Sequence, residues 1–436
     1  MNPPARAIET VLAGVFLIGF YLHADFVLGE GLKIPAAGAL VGGGGLLALH
    51  MGRLRHGDLL FAGVWIAIAS VSLFLNPHFW DARTFDRHGA AFATSFLVFA
   101  ASLAMAFGVF AGFRRWPRQR MANMALAALL LLLAGVAAER WLGLAAASDA
   151  VRTMLYAQDV TYAANLRDRL LYGSVRAKLF TSEPSHVAKF YVLMVLVWYA
   201  TARNGWRIPV LYMLLGAGVA LVQSPTILAA LPAAWMADLC RSRGALGWLL
   251  AAAAALVLAP VAIVAGESMF AGRLDHILTG QDASFLIRII LPFEVLARVW
   301  GDYPLFGLGF GAKESGLPYA IAAAQDLGLD AGVLIATTAP LGNNGLAIGL
   351  IQLGVAGTLA FAASLIVFWR YACGGYWPFA AAGMLGYLLL IGGINDPRFW
   401  GGLALLSAAG AAADAGRRPA LSAVTPKPLH PASVPA

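Results

Sequence analysis

Ala122-Asn-Met-Ala-Leu-Ala-Ala-Leu-Leu-Leu-Leu-Leu-Ala-Gly-Val-Ala-Ala138 follows Arg118 and Arg120 and is closed by Glu139. The run carries no charge, and it is long enough to cross a bilayer as one helix, which takes roughly 17–25 residues. Basic residues on one flank and an acid on the other give it a direction, because short cytoplasmic loops collect Lys and Arg. Outward from this stretch the pattern repeats. Spans are expected near Ile8–His23, Ile34–His50, Asp58–Leu75 and Gly89–Phe113 before it. After it come His186–Thr201, Ile208–Gln223, Pro225–Asp238, Gly244–Gly266, Gly342–Trp369, Trp377–Gly393 and Phe399–Ala413. The segment after Gln223 is short and begins at Pro225, so a hairpin partner or a broken helix is expected there. The fold class that follows is an all-α membrane protein of about 12 transmembrane helices.

Composition agrees. The chain of 436 residues is 60% hydrophobic and 12% charged, whereas soluble domains carry about 25% charged residues. The formal charge of +8 admits an anionic lipid or an anionic substrate. Nucleic acid is disfavoured, because no basic stripe interleaved with aromatics occurs. Cys240 and Cys373 are the only cysteines, too few and too far apart for a zinc cluster or a disulfide framework. Ile8–His23 lacks a small-residue cleavage site and more spans follow at once, so it reads as a span and not a signal peptide.

Arginines fill every second connection: Arg53 and Arg55; Arg114, Arg115, Arg118 and Arg120; Arg203 and Arg207; Arg241 and Arg243; Arg370; then Arg417 and Arg418. That parity places both termini in the cytoplasm and two long loops, about 139–185 and 267–341, on the trans side. Residues 1–420 then form a single polytopic domain, and the Pro-, Ser- and Ala-rich 421–436 reads as a disordered cytoplasmic tail. No repeat of fixed period is visible in the sequence.

Polar residues gather in the two trans-side loops and at the apolar edges beside them. Arg167, Asp168, Arg169, Arg176 and Lys178 precede Thr181-Ser182-Glu183-Pro184-Ser185-His186. A loop helix of solvated ion pairs is the plain account. Cations held against a membrane face are costly unless they pair or bind something, which favours a functional one. Pro184 suits a first helical turn, with Ser182 or Glu183 as cap. In Asp282-Ala-Ser-Phe-Leu-Ile-Arg288, Ser284 and Arg288 fall one turn apart on a helix running to about Val299. Glu294 and Arg298 can pair along it, but Arg288 has no acid at i−4 or i+4. Tyr303-Pro-Leu-Phe-Gly-Leu-Gly-Phe-Gly311 alternates glycines. A close backbone approach or an anion nest would use them, but a helix stop with a tight turn is the preferred account of the motif on its own. Asn343-Asn344 opens the next span, where a helix cap is the plain account. Asn395-Asp396-Pro397-Arg398 breaks the chain between the last two spans. His78, His88, His186 and His276 lack ligand spacing to a second His or Cys, so no metal site is expected. No phosphate-binding loop with Gly-Lys-Ser/Thr occurs.

Together these elements, from about Arg176 to Trp400, resemble the O-antigen ligase and polymerase superfamily. The carriers are Arg176 ahead of Phe180-Thr-Ser-Glu-Pro-Ser185, the Ser284–Arg288 pair, Pro304–Gly311, and Asn343-Asn344 with Leu346, Gly354 and Gly357. The resemblance implies a GT-C-like bacterial inner-membrane glycosyltransferase whose trans-side loops contain short helices. It implies an undecaprenyl-diphosphate-linked oligosaccharide as substrate, membrane lipid around the site, and a flippase and chain-length regulator of the same pathway as partners. The family usually has His-Asn where this chain has Asn343-Asn344, and Asn accepts no proton at neutral pH. The Ser-Glu-Pro-Ser segment is more typical of polymerases of O-antigen or exopolysaccharide. Polymerase is therefore the first expectation, and ligase, transferring glycan to lipid A core, is the second.

A diphosphate leaving group handled without metal or cofactor needs fixed cations. Arg176 and Arg288 suit that role, since guanidinium grips phosphate bidentately and stays charged. Glu183 is the candidate to take the acceptor proton, with His186 second. His186, Ser284, Asn343, Asn344 and Arg398 are expected to bind substrate. A transporter or flippase of lipid-linked glycans is the alternative of another class. It would place charges along a path within the spans, whereas most spans here are nearly free of charge.

Overall fold

The computed structural model describes residues 3–28, 32–75, 82–156, 168–169, 172, 174–203, 205–241, 285–311, 315–329 and 344–416. These residues are almost wholly helical. The first half holds α1 (Pro3–Leu22), α2 (Ala37–His50), α3 (His56–Phe74), α4 (Ala82–Phe113), α5 (Arg118–Trp141) and α6 (Leu144–Leu155). Then follow α7 (Pro184–Thr201), α8 (Arg207–Val222), a 3-10 turn at Pro225–Ala229 and α9 (Ala230–Arg241). A π turn at Leu286–Ile290 leads into α10 (Leu291–Asp302), and α11 (Leu317–Asp326), α12 (Gly345–Cys373), α13 (Trp377–Leu388) and α14 (Pro397–Ala415) complete the set. A short antiparallel hairpin, Phe26–Leu28 with Leu32–Ile34, pairs Val27 with Lys33 and was not expected.

Five stretches among the described residues are long and apolar enough to cross a membrane: Pro3–Leu22, His56–Phe74, Phe92–Phe113, Arg118–Trp141 and Gly345–Leu388. The chain is an all-α membrane protein. The other expected spans meet shorter or more polar helices, and Gly244–Gly266 lies outside the described residues, as does the tail 421–436. The segment after Gln223 is broken as expected, a 3-10 turn passing into α9.

Two helices form the centre. Every residue of α7 except His186 is buried. In α14 the buried run spans Phe399 to Gly410 without a gap. A helix apolar on all sides is buried either in protein or in lipid, and here other helices surround both. Helix α7 packs on α5, α14 and α9, and α14 on α4, α13 and α12. Small residues set the distances: Gly19 of α1 meets Gly38, and Gly42 of α2 meets the backbone of Phe16.

Helix α12 is broken at Gly354, where φ is 62° and ψ is −170°. The loop after α10 fills the break. Leu308 and Gly309 donate backbone N–H to the carbonyls of Ile351 and Gln352 at 2.8 and 3.0 Å, while Val355 and Ala356 donate to those of Pro304 and Leu305, both at 3.0 Å. Close backbone approach therefore accounts for Gly307, against the helix stop preferred from the sequence. Gly307 turns at φ 63° and faces Gly354 directly. The sequence motif thus becomes a brace tying α10 to a membrane helix.

Gly354→Ala should be severely destabilising. Its backbone conformation is open essentially to glycine alone, costing others about 1–3 kcal/mol. A Cβ there would also overlap the Gly307 nitrogen and the Leu305 carbonyl, both backbone. Gly349→Ala, five residues earlier, meets open space and should gain up to about 1 kcal/mol from helix propensity. Thermal unfolding of both variants in detergent checks this. A Tm for Gly354→Ala within a degree of wild type would mean that the brace is not structural.

Candidate functional site

The site is founded on a strained loop. Leu179 and Phe180 both have positive φ, 37° and 66°, a conformation that bulky residues hold only when their surroundings dictate it. Here they do. Glu139, at the end of α5, accepts the backbone N–H of Lys178 and Leu179 at 2.9 and 2.6 Å. Ser148 Oγ of α6 accepts that of Phe180 at 3.0 Å, and Tyr21 donates to the Leu179 carbonyl at 2.7 Å. Arg152 of α6 donates to the carbonyls of Thr181 and Ser182 at 2.8 and 3.0 Å. Six hydrogen bonds from four side chains on three helices thus fix the residues leading to Glu183. Pro184 then starts α7 with Glu183 at its cap position, in an extended backbone conformation (φ −147°, ψ 152°).

Glu183 is the hub. Its Oε1 accepts from Ser185 Oγ and lies 3.4 Å from His186 Nε2 and 3.7 Å from Lys189 Nζ. Its Oε2 lies 3.4 Å from Arg288 Nη2. Arg288 arrives from 105 residues away, on the π turn ahead of α10. One extra residue in a helical turn redirects the side chain, a device frequent at functional sites. Burial alone would raise the carboxyl's pKa, but the charges of Lys189 and Arg288 and the Ser185 hydroxyl outweigh it and hold Glu183 below the usual carboxylate range.

The second half of the site comes from the start of α14. Asp396 caps that helix, accepting the Arg398 N–H at 2.8 Å. It also grips the Arg398 guanidinium through both oxygens, at 2.7–3.1 Å. Burial pushes the Asp396 carboxyl up, and Arg398, by its charge and its hydrogen bonds, more than reverses this, leaving it low. Arg398 Nη1 reaches His186 Nε2 at 2.9 Å. A guanidinium can only donate, so Nε2 is the acceptor and His186 is the neutral Nδ1–H tautomer, donating to Ser182 Oγ at 3.2 Å. His23, just past α1, stands edge-on to His186 at 5.9 Å and 3.9 Å from Asp396. Burial first, then the Arg398 charge, lowers its pKa to about 3, so it is uncharged. His23, His186, Lys189 and Arg398 line one narrow cleft with Phe20, Tyr21, Phe190 and Tyr387.

A scan against protein-family models gives no match, and a search of curated proteins gives none either.

The structure brings Glu183, His186, Arg288 and Arg398 into one constellation. Arg176 is engaged differently. Its Nε and Nη2 lie 2.9 Å from Asp168 Oδ1, its backbone N–H reaches Oδ2 at 3.2 Å, and its guanidinium covers the Tyr172 ring at 4.5 Å. The anion that this cation-rich segment required is therefore supplied by the segment itself. Asn344 is fully buried and caps α12, accepting the Ala347 N–H at 3.2 Å, which is the plain account of that residue. Its Nδ2 has no hydrogen-bond partner among the described residues. Ser284 and Asn343 lie outside the described residues.

Lys189, His23 and Tyr387 were not anticipated. Lys189 had a clear signal: it is the only Lys, Arg, Asp or Glu in Pro184–Thr201, and an ionisable residue inside an apolar segment is a functional candidate by default. Glu139, Ser148 and Arg152 had none, because their work is done on the backbone of a loop distant in sequence.

The opposite ends of the same helices carry the arginines. Arg118 donates to the Thr201 and Ala202 carbonyls at the far end of α7, each at 2.8 Å. At the start of α1, Arg120 bonds Thr10 and Trp116 bonds Glu9. Arg114 pairs with Asp58 at the start of α3 at 2.8 Å. Eighteen helical residues separate the two ends of α7, about 27 Å at 1.5 Å per residue.

Proposed function

We propose that this protein is an inner-membrane glycosyltransferase acting on lipid-diphosphate-linked glycans, most simply a polymerase of O-antigen or exopolysaccharide repeat units. In this reading the chain crosses the membrane about twelve times with both termini cytoplasmic, and the charged cluster around Glu183 faces the periplasm. The observation that carries it is the meeting of Glu183, Arg288, Lys189 and Arg398 at one end of the central helices. The arginine-rich connections mark the other end, as sidedness by positive charge requires.

The chemistry asks for two things, and the cluster around Glu183 offers both. The acceptor hydroxyl oxygen attacks the anomeric carbon of the donor sugar. The bond from that carbon to phosphate oxygen breaks, and the electron pair leaves on the lipid diphosphate. Fixed cations stabilise that growing charge, and Arg288 and Lys189 are placed to do so. The acceptor proton passes to a base, and Glu183 is the carboxylate at hand. A carboxylate held so low is a poor base, since base strength follows pKa. An incoming diphosphate corrects this by drawing Arg288 and Lys189 toward itself, which returns proton affinity to Glu183 when it is needed. His186 is the weaker candidate, because Arg398 occupies its free lone pair.

The test is transfer in proteoliposomes of known orientation, with a defined undecaprenyl-diphosphate oligosaccharide on one face. A ladder of products from the periplasmic face alone is expected. One-step transfer to added lipid A core would make the protein a ligase. No transfer to either acceptor, with the donor simply moved across the bilayer, would refute the enzyme reading in favour of a flippase.

A further inference from the structure

The end of the helices opposite Glu183 gathers more cations than its own acids answer. Arg53 and Arg55 lie between α2 and α3, and Arg114 and Arg115 follow α4. They share one patch. Arg114 Nη2 donates to the Arg53 carbonyl at 3.1 Å, and the charges of Arg53, Arg114 and Arg55 all act on Arg115. The acids beside them, Asp58 and Glu9, are buried and engaged. Asp58 takes Arg114 at 2.8 Å and the Arg55 N–H at 2.9 Å. Glu9 takes the Trp116 indole and lies 3.6 Å from His50. Arg53 reaches only the ring of His50, at Nδ1, 3.4 Å away. A guanidinium can only donate, so that nitrogen offers a lone pair and no charge. Arg53, Arg55 and Arg115 are all exposed. Sidedness by positive charge needs such arginines to be counted, but it does not require that they converge.

We propose that Arg53, Arg55 and Arg115 hold the headgroup phosphate of an anionic phospholipid whose acyl chain lies along the exposed face of α3. The second observation is that face. Leu59 and Leu60, one turn below Arg55, are exposed, and so are Ile66 and Val71 further along. Gly63 stands between them with open space where a side chain would be, so the stripe carries a shallow recess. One leaflet of a bilayer is about 15 Å deep, half of the ~30 Å core. Ten residues of α3 cover that depth at 1.5 Å each. The patch therefore offers what a lipid needs in the order a lipid presents it: cations for the phosphate, then an apolar track for the chain. A zwitterionic headgroup carries its own cation and brings no net charge to three guanidiniums. An anionic one does, and basic pockets at the ends of membrane helices recognise such headgroups by this excess. Guanidinium also grips phosphate oxygens in pairs.

Native mass spectrometry of the full chain in detergent tests this with three probes: dioleoyl phosphatidylglycerol, dioleoyl phosphatidylcholine and glycerol phosphate. Wild type is expected to bind phosphatidylglycerol at least about tenfold more tightly than phosphatidylcholine, the scale of one charge-assisted contact. Bound lipid should also raise Tm, since it binds the folded chain alone. R53Q/R115Q should reduce the preference below about threefold. R53K/R115K should keep most of it, because lysine also binds phosphate, as a point charge. R203Q removes an exposed arginine from the connection after α7 and should leave the preference unchanged. If the double variant does not fold, R115Q alone, in an exposed connection, should lower the preference about threefold. Retention of the preference in the neutral variants, or its absence in wild type, overturns the site. An equal loss in R203Q overturns it too, because net charge and not this patch would then attract the lipid. Glycerol phosphate binding as tightly as phosphatidylglycerol overturns the lipid as the occupant.

Discussion

Glu183→Gln should keep the fold and lose turnover by about 10²–10⁴-fold, the range expected when a positioned proton acceptor is removed. Glutamine preserves the volume and one carbonyl oxygen, so Ser185 and Lys189 can keep their acceptor while the half-exposed Arg288 turns to solvent, and the backbone restraints on the preceding loop do not involve the Glu183 side chain. What disappears is the charge and the ability to hold a proton. The wild-type carboxyl is ionised at neutral pH. Its folded pKa lies below the usual value, so its contribution to stability is present above the ordinary carboxylate range and is lost only as pH falls through the lowered value. The variant removes that contribution, and at pH 7 some stability goes with it. Glu183 is partly exposed, which limits the loss. A purely structural carboxylate would therefore show itself by the opposite pattern: a lowered Tm with normal turnover per folded molecule. Purified wild type and variant, assayed for product at matched amounts of folded protein, separate the two. Turnover within threefold of wild type would remove Glu183 from the chemistry.

The pairing of Glu183 with Arg288 was legible because each residue was anomalous on its own. Glu183 preceded a proline at a span mouth, and Arg288 had no helical partner of opposite sign, so both stood out from their local context. Arg398 was legible for a related reason, lying in a polar break between apolar spans. Lys189 was not read because averaging over a span hides one ammonium among valines and leucines. His23 was hidden as the last residue of an apolar run. Arg176 shows the converse. Its charge looked unanswered because Asp168, eight residues earlier, lies outside the spacings by which a helix pairs its own side chains, yet the chain folds back and joins them. The glycine loop was visible as a pattern but not as a role, because its partner, the break at Gly354, lies some 45 residues downstream and only the fold puts the two backbones in register. Element positions came from the period and length of apolar runs. Their number as membrane crossings did not, since burial within the protein and burial in lipid write the same apolar sequence, as the enclosed helix α7 demonstrates.

Arg288→Lys should lower kcat by about 10- to 100-fold while changing KM for the donor by less than about threefold, the mark of an interaction made mainly in the transition state. In the resting site the Arg288–Glu183 contact is 3.4 Å long, with the two side chains 31% and 25% exposed. Ion pairs of that kind contribute about 0–1 kcal/mol, so lysine can replace arginine there at little cost in stability, and Tm should move by no more than a few degrees. The loss appears elsewhere. As the bond to phosphate breaks, negative charge spreads over several oxygens at once, and a planar fork meets two of them where an ammonium meets one. The π turn that carries Arg288 is continuous with α10, which the glycine loop braces against α12. The guanidinium therefore approaches from a fixed direction, and a shorter reach with a point charge cannot recover the same geometry by moving the backbone. Steady-state kinetics over a range of donor concentrations, with Tm recorded on the same preparations, decides the matter. A variant that raises KM and leaves kcat intact would make Arg288 a simple docking residue, and one that leaves both intact would leave it only an ion-pair partner of Glu183.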